Sequence, residues 1–286
     1  MGKNGPRHRL EDRQRKEPIW RKKVKDPRGI QILILLSLHV TAFVMGLGMN
    51  IAGLFLVIAW SLTLQYIFDQ TVLRAFNWRS ASISALSLTL LLKSESLTVW
   101  LMAPVFTIAP KFLLKHHGKH FFNPTNIGIV LCLLIFNDHS WISPGQWGRD
   151  TFFIFALIFA GAFVSIRSAR IDTALYFLGF HLLFLIIRTL WLGDPFVIAF
   201  HRVQNISLLI FTFLMISDPR STPDSRIGRI VFCAIVAAIT YYFNYVLYNR
   251  ESLFYALAIT SLFTPLLNIK FPGSSFQWKK QSLLPS

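Results

Sequence analysis

The chain has 286 residues, 53% of them hydrophobic and only 15% charged, with a formal net charge of +16. A mean hydropathy of +0.51 argues against a water-soluble domain of any size, and the apolar runs between residues 30 and 269 each approach the ~20 residues a bilayer core requires. The two cysteines, Cys132 and Cys233, both sit inside apolar runs, which excludes a disulfide framework and a cysteine-rich metal site.

Residues 1–29 form a basic tail. Eleven Lys/Arg fall between Lys3 and Arg28 in a polar stretch without apolar periodicity. It reads as a cytoplasmic tail whose partner is anionic lipid headgroups, and the charge distribution does not point to nucleic acid. No small-residue cleavage site follows the first apolar run, so that run is expected to be an uncleaved span.

The periodicity then predicts ten spans, at 30–46, 51–68, 80–94, 97–114, 125–137, 151–166, 172–192, 204–216, 229–247 and 251–269. Those at 80–94, 125–137 and 204–216 are short and end at polar turns, as half-helices do. If the N-terminus is inside, 24 of the 29 Lys/Arg fall on the cytoplasmic side. Only Lys93, Arg149, Arg202 and Arg250 fall outside, and Arg188 lies within a span. This is a positive-inside pattern with both termini cytoplasmic, including a C-terminal tail at 270–286. The expected fold is an all-α polytopic membrane protein of about ten transmembrane helices in the inner (plasma) membrane. Five spans per half turn the second half over relative to the first. "SASISALSLTLLLKSES" (80–96) and "NISLLIFTFLMISDPR" (205–220) echo each other in hydropathy, and an inverted repeat of this kind places a site between the halves.

Polarity concentrates in three places. In "GKHFFNPTNIGIV" (118–130), Lys119, His120, Asn123, Pro124, Thr125 and Asn126 precede an apolar run. Asn123 and Thr125 offer N-cap chemistry and Pro124 suits a first helical turn. The helix start presents free N–H groups, which favour carbonyl or phosphate oxygens. The plainer reading is a capped helix with snorkelling basic residues. In "MISDPRSTPDSRIGR" (215–229), Asp218-Pro219 ends a span, Ser221, Thr222 and Asp224 can bond local backbone, and Arg220, Arg226 and Arg229 face the cytoplasm. An ordinary turn explains most of this. Asp218 is also placed to hold a cofactor NH or pair with a lysine. "DHSWISPGQWGRD" (138–150) carries Trp141 and Trp147 of an interfacial belt and a Pro144-Gly145 turn on the outer side. Within the spans, His39, His181, Arg188 and Asn244 are costly to bury unless partnered. The sequence holds no nucleophile elbow, P-loop or HExxH.

Taken in order, "KDPRGIQILILL" (25–36), "LTLQYIFDQ" (62–70), "SALSLTLLLKSES" (84–96), "GKHFFNPTNIGIV" (118–130), "SPGQWG" (143–148) and "FTFLMISDPRSTP" (211–223) resemble one membrane family. It is the RnfD/NqrB family, membrane components of Rnf-type electron-transport complexes and of the sodium-translocating NADH:quinone oxidoreductase. The likeness covers nearly all of residues 25–270. It implies ten helices in two inverted halves, similar in plan to urea transporters. It also implies a riboflavin near the Phe-Asn-Pro turn, held through the positions of Asn123 and His120. The family's covalent FMN sits on a threonine in a Ser-Gly-Ala-Thr segment that this chain lacks, so the flavin expected is riboflavin or FMN held non-covalently.

The resulting expectation is an electron-transfer subunit of a membrane oxidoreductase. Lys119, His120, Asn123, Pro124 and Asn126 would face Asp218, Arg220 and Thr222 around a flavin. Partner subunits with flavin or iron–sulfur centres, and a quinone, are the implied companions. Three alternatives stay open. They are a small-solute or ion channel or permease of related fold, a b-type cytochrome using His39 and His181, and an accessory membrane protein that kept the fold and lost the flavin.

Overall fold

In the computed structural model, the structure describes residues 28–116, 118–142 and 151–274. Both expected tails, apart from a few residues, and the outer motif with Pro144, Gly145 and Trp147 therefore lie outside the described residues.

The chain is all-α. Arg28–Val44 (α1), Ile51–Thr71 (α2), Trp78–Leu91 (α3), Leu97–Ile108 (α4), Pro110–Leu113 (α5) and Pro124–Ile135 (α6) make a first half. Thr151–Arg167 (α7), Ile171–Leu192 (α8), Phe196–Val203 (α9), Ile206–Ile210 (α10) with a π-turn at Phe211–Met215, Arg226–Tyr245 (α11), Ser252–Leu262 (α12) and Thr264–Lys270 (α13) make a second. Two minimal antiparallel ladders pair Leu92–Lys93 (β1) with Trp141–Ile142 (β4), and Lys115–His116 (β2) with Lys119–His120 (β3).

Among the described residues three helices (α2, α8 and α11) are long and apolar enough to cross a membrane, and up to five spans result if each of two bent pairs counts as one. The pairs are Phe196–Val203 with Ser207–Met215, bent by 55°, and Ser252–Leu262 with Thr264–Lys270, bent by 48°. The breaks have local causes. Pro110 and Pro265 stand in the first turns of α5 and α13, where a missing N–H and a fixed φ are tolerated but cannot continue the preceding helix. Asn205 starts α10 by accepting from Ser207 N at 2.8 Å. The span expected at 204–216 therefore gains a preceding short helix, α9, at an angle.

The packing plan repeats. In the first half α1 lies on α3, α2 on both α3 and α4, and α4 on α6. In the second, α7 lies on α10 and the π-turn, α8 on α9, the π-turn and α11, and α11 on α12. The halves join where α6 meets α12 and α1 meets α7.

Phe55, Phe159, Trp191 and Ile269 face outward, an arrangement that is unfavourable in water and normal in hydrocarbon. Inside, small hydroxyl residues such as Ser61, Thr107, Thr173, Thr240 and Thr260 are buried, as helix–helix contacts in a bilayer favour. Close approach is specific. A Cβ built on Gly128 would lie 2.0 Å from Thr107 Oγ1, and one on Gly161 would lie 2.5 Å from Phe213 Cβ. Gly128 thus sets the α4–α6 crossing, and Gly161 seats α7 against the π-turn.

Candidate functional site

The Asn-Pro and Asp-Pro bends meet. Asn123 is the N-cap of α6, and its Oδ1 accepts from Asn126 N at 3.0 Å. Its Nδ2 donates to Met215 O at 3.1 Å, across to the π-turn. A π-turn widens the helix and misaligns its carbonyls, so they can serve other partners. Met215 O, at the end of the turn, accepts from Asn123 and also from Asp218 N at 3.3 Å. Phe213 O accepts from Ser165 of α7 at 3.2 Å and from Ser217.

Beside this junction, His120 Nε2 lies 3.9 Å from Asp218 Oδ2, within range of ionic attraction but beyond a hydrogen bond. Burial holds the His120 imidazole below its ordinary value against the pull of Asp218, so the ring is neutral at pH 7. Burial pushes the Asp218 carboxyl up, yet the neighbouring His120 and Arg220 outweigh it and hold it below the usual carboxylate range. Arg220 N donates to Asp218 Oδ1 at 3.1 Å.

A cavity of about 100 Å3 opens along this seam. His120, Asn123, Pro124, Asp218 and Arg220 line it, as do Ser80, Ser84 and Ser87 of α3. The serines recur at i, i+4 and i+7 and so share one helix face. Arg28 closes one side, donating to Asn77 Oδ1 at 2.9 Å.

The other expected site residues lie outside that lining. Lys119 donates to Thr222 O at 2.7 Å and to Asp224 Oδ1 at 2.8 Å. Its ammonium is held below its ordinary value by burial, opposed by Asp224. Thr222 Oγ1 donates to Asp218 O at 3.0 Å and receives Arg170 Nε at 3.3 Å. Asn126 Nδ2 donates to Phe254 O of α12 at 3.1 Å, while its buried Oδ1 finds no partner. Lys119, Thr222 and Asn126 therefore fasten one half to the other, and His120, Asn123, Pro124, Asp218 and Arg220 face the opening.

Sequence reasoning did not select the α3 serines, Arg28 or Lys111. The serine spacing in "SASISALS" was a readable signal. Lys111, one of the cations on the cytoplasmic side of the positive-inside pattern, is buried, with Nζ 3.3 Å from Ser80 Oγ and 3.5 Å from Gln65 Oε1. Gln65 Nε2 in turn donates to Asp69 Oδ2 at 2.9 Å, which also accepts from Asn77 N. This chain of bonds stands behind the cavity wall.

The histidine pair is engaged otherwise. His39 Nδ1 donates to Leu35 O at 2.7 Å and Nε2 lies 3.0 Å from Thr89 Oγ1, so both nitrogens have oxygen partners. His181 stacks on Phe177 at 5.7 Å between centroids. Among the described residues no group of three or more His, Cys, Asp or Glu could hold a metal ion.

Comparison of the chain with protein-family models and with curated proteins finds no match.

Proposed function

We propose that the chain is a ten-span membrane subunit of the RnfD/NqrB kind, an electron-transfer protein that holds a flavin at the seam between its halves. The observation that carries this reading is the meeting of the Asn-Pro and Asp-Pro bends, with Asn123 bonded to Met215 O, 92 residues away, and a polar cavity beside them. The repeated packing plan supports two related halves, and the turns rich in Lys/Arg gather at the same end as the cavity.

The residues present fit the polar edge of an isoalloxazine ring. Ionised Asp218 would accept an imide N–H, and Arg220 and the Ser80 and Ser87 hydroxyls would donate to carbonyls, the Ser84 hydroxyl being spent on Ser80 O at 3.0 Å. Neutral His120 offers one donor and one acceptor. Asn123 has one amide hydrogen left after bonding Met215 O. At about 100 Å3, below the ~300 Å3 where ligand sites usually begin, the cavity would accommodate only that polar edge. A bound flavin would supply one- and two-electron chemistry. The protein would orient it, and the Arg28 and Arg220 charges would stabilise an anionic reduced form. The spans hold almost no Asp or Glu, so ion pumping is not assigned to this chain alone.

The small volume also favours a second reading, a permease for a small polar solute. One feature weighs against a straight conduit. At 100° per residue, Thr89 falls roughly 180° around α3 from Ser80, Ser84 and Ser87. The polar groups at the two ends of that helix therefore share no face. The decisive experiment is an absorption spectrum with acid-extracted flavin analysis on purified protein, before and after incubation with riboflavin. Flavin in stoichiometric amount supports the first reading. None in either sample, together with solute flux in liposomes, supports the second.

A further inference from the structure

A second, larger cavity of about 580 Å3 lies at the opposite end of α3, between the α1–α2 turn, the end of α3 and the start of α4. This volume is within the ordinary range of small-molecule sites. Lys93, Glu95, Trp100, Trp141, Asn50 and Thr89 line it. The β1–β4 ladder explains how the cation and the rings come together. Lys93 and Trp141 are direct partners in the antiparallel register, and cross-strand partners project to the same side with Cβ atoms about 5 Å apart. Ser94 pins the ladder by donating to His139 O at 2.6 Å, and Trp100 Nε1 donates to Ser94 O at 3.2 Å, which fixes the ring as a wall.

The charges are the informative part. Lys93 is half-buried and Glu95 is exposed. They stand two residues apart on one cavity, yet they form no ion pair with each other, and neither makes a hydrogen bond or ion pair among the described residues. Asn50 spends its Oδ1 on Gly53 N at 2.8 Å and has its amide hydrogens to offer. An unpaired cation, an unpaired carboxylate and two indole rings form the complement of a small zwitterion. Its anion would sit on Lys93 and Asn50, and its ammonium between Glu95 and Trp141, since ammonium groups are attracted both to carboxylates and to indole faces.

We infer that this second cavity binds a zwitterion carrying a phosphate or carboxylate and an ammonium group. Phosphoethanolamine is the common chemistry of a free solute and of a lipid headgroup. The site is distinct from the seam at the other end of α3 and does not depend on the flavin reading.

The test uses the purified full chain in detergent, titrated with O-phosphoethanolamine and followed by tryptophan fluorescence, with Trp141→Phe assigning the signal. A saturable change is expected. It should weaken at least tenfold in Lys93→Gln and in Glu95→Gln, and inorganic phosphate or ethanolamine alone should bind at least tenfold more weakly. Glu95 is exposed, so Glu95→Gln leaves packing intact even if Lys93→Gln does not, and circular dichroism verifies both. A wild-type protein that shows no saturable change, or equal binding by both variants, overturns the inference. Native mass spectrometry of protein taken from membranes separates the sources. Phosphatidylethanolamine retained by wild type and lost from Lys93→Gln identifies a lipid, whereas binding of the free probe with no retained lipid identifies a soluble zwitterion.

Discussion

Asn123 Nδ2 donates to the carbonyl of Met215 at 3.1 Å while Asn123 Oδ1 caps α6 through Asn126 N at 3.0 Å. One side chain thus starts a helix in the first half and adds a second donor to the Met215 carbonyl, which also accepts from Asp218 N at 3.3 Å, in the second. Asn123→Ala removes the cap and one of the two donors to the Met215 carbonyl, which keeps only the Asp218 N–H at 3.3 Å. Each loss is worth about 1 kcal/mol, so a combined destabilisation of about 2 kcal/mol is expected. Asn123→Asp keeps the cap and removes the donor, so it should fall between wild type and alanine. Thermal unfolding in detergent, read by circular dichroism, checks the order; alanine and aspartate variants of equal stability would show that the bond to Met215 contributes nothing.

Much of this was readable from the chain and some was not. The apolar runs placed most helices within a few residues, and Asn-Pro and Asp-Pro marked the two bends, because caps and proline act locally. The π-turn at Phe211–Met215 left no trace in residue type. It packs against α7 through Gly161 and Ser165 at Phe213, a contact made only in three dimensions. The partners of Lys119 and Asn126 were equally hidden. Both read as ligand-facing from their neighbours in sequence, yet their hydrogen-bonding groups go to Asp224, Thr222 O and Phe254 O, more than 100 residues away.

The acid limb of stability should report on His120. Its folded value lies below the ordinary 6.5, so the unfolded chain takes up a proton first as pH falls, and stability is full above about 6.5 and declines below it. Asp218, held below its ordinary 3.8, adds a loss of the same sign at lower pH, as the native carboxylate is protonated. Unfolding midpoints measured between pH 7.5 and pH 5 should fall for wild type. His120→Gln, which cannot titrate, should flatten the upper part of that limb. A wild-type midpoint independent of pH across this range would contradict the buried neutral ring.

Lys119 and Asp224 form a 2.8 Å ion pair with side chains 14% and 11% exposed, joining residues 105 apart. A pair this far from solvent should couple more strongly than the 0–1 kcal/mol of surface pairs. A double-mutant cycle with Lys119→Met and Asp224→Asn is expected to give a coupling of about 1–3 kcal/mol, the double variant losing that much less than the sum of the two single losses. A coupling near zero would mean that the backbone bond from Lys119 to Thr222 O carries the join alone.

The glycines give the sharpest contrast. A Cβ on Gly161 would sit 2.5 Å from Phe213 Cβ and 2.8 Å from its ring, whereas one on Gly179 of α8 meets nothing within 4 Å. Both residues are in helix interiors, where alanine is intrinsically favoured over glycine by roughly 0.5–1 kcal/mol. Gly179→Ala should therefore be neutral or slightly stabilising. Gly161→Ala forces α7 away from the π-turn and should cost about 1–3 kcal/mol. It should also disturb the seam, because Ser165, one turn on, donates to Phe213 O at 3.2 Å, and Phe213 itself lines the cavity. The expected result is a lower unfolding midpoint for Gly161→Ala, with weaker riboflavin binding if the proposed flavin site is correct, and neither change for Gly179→Ala. A Gly161→Ala variant of wild-type stability would show that α7 is not pressed against the turn as described.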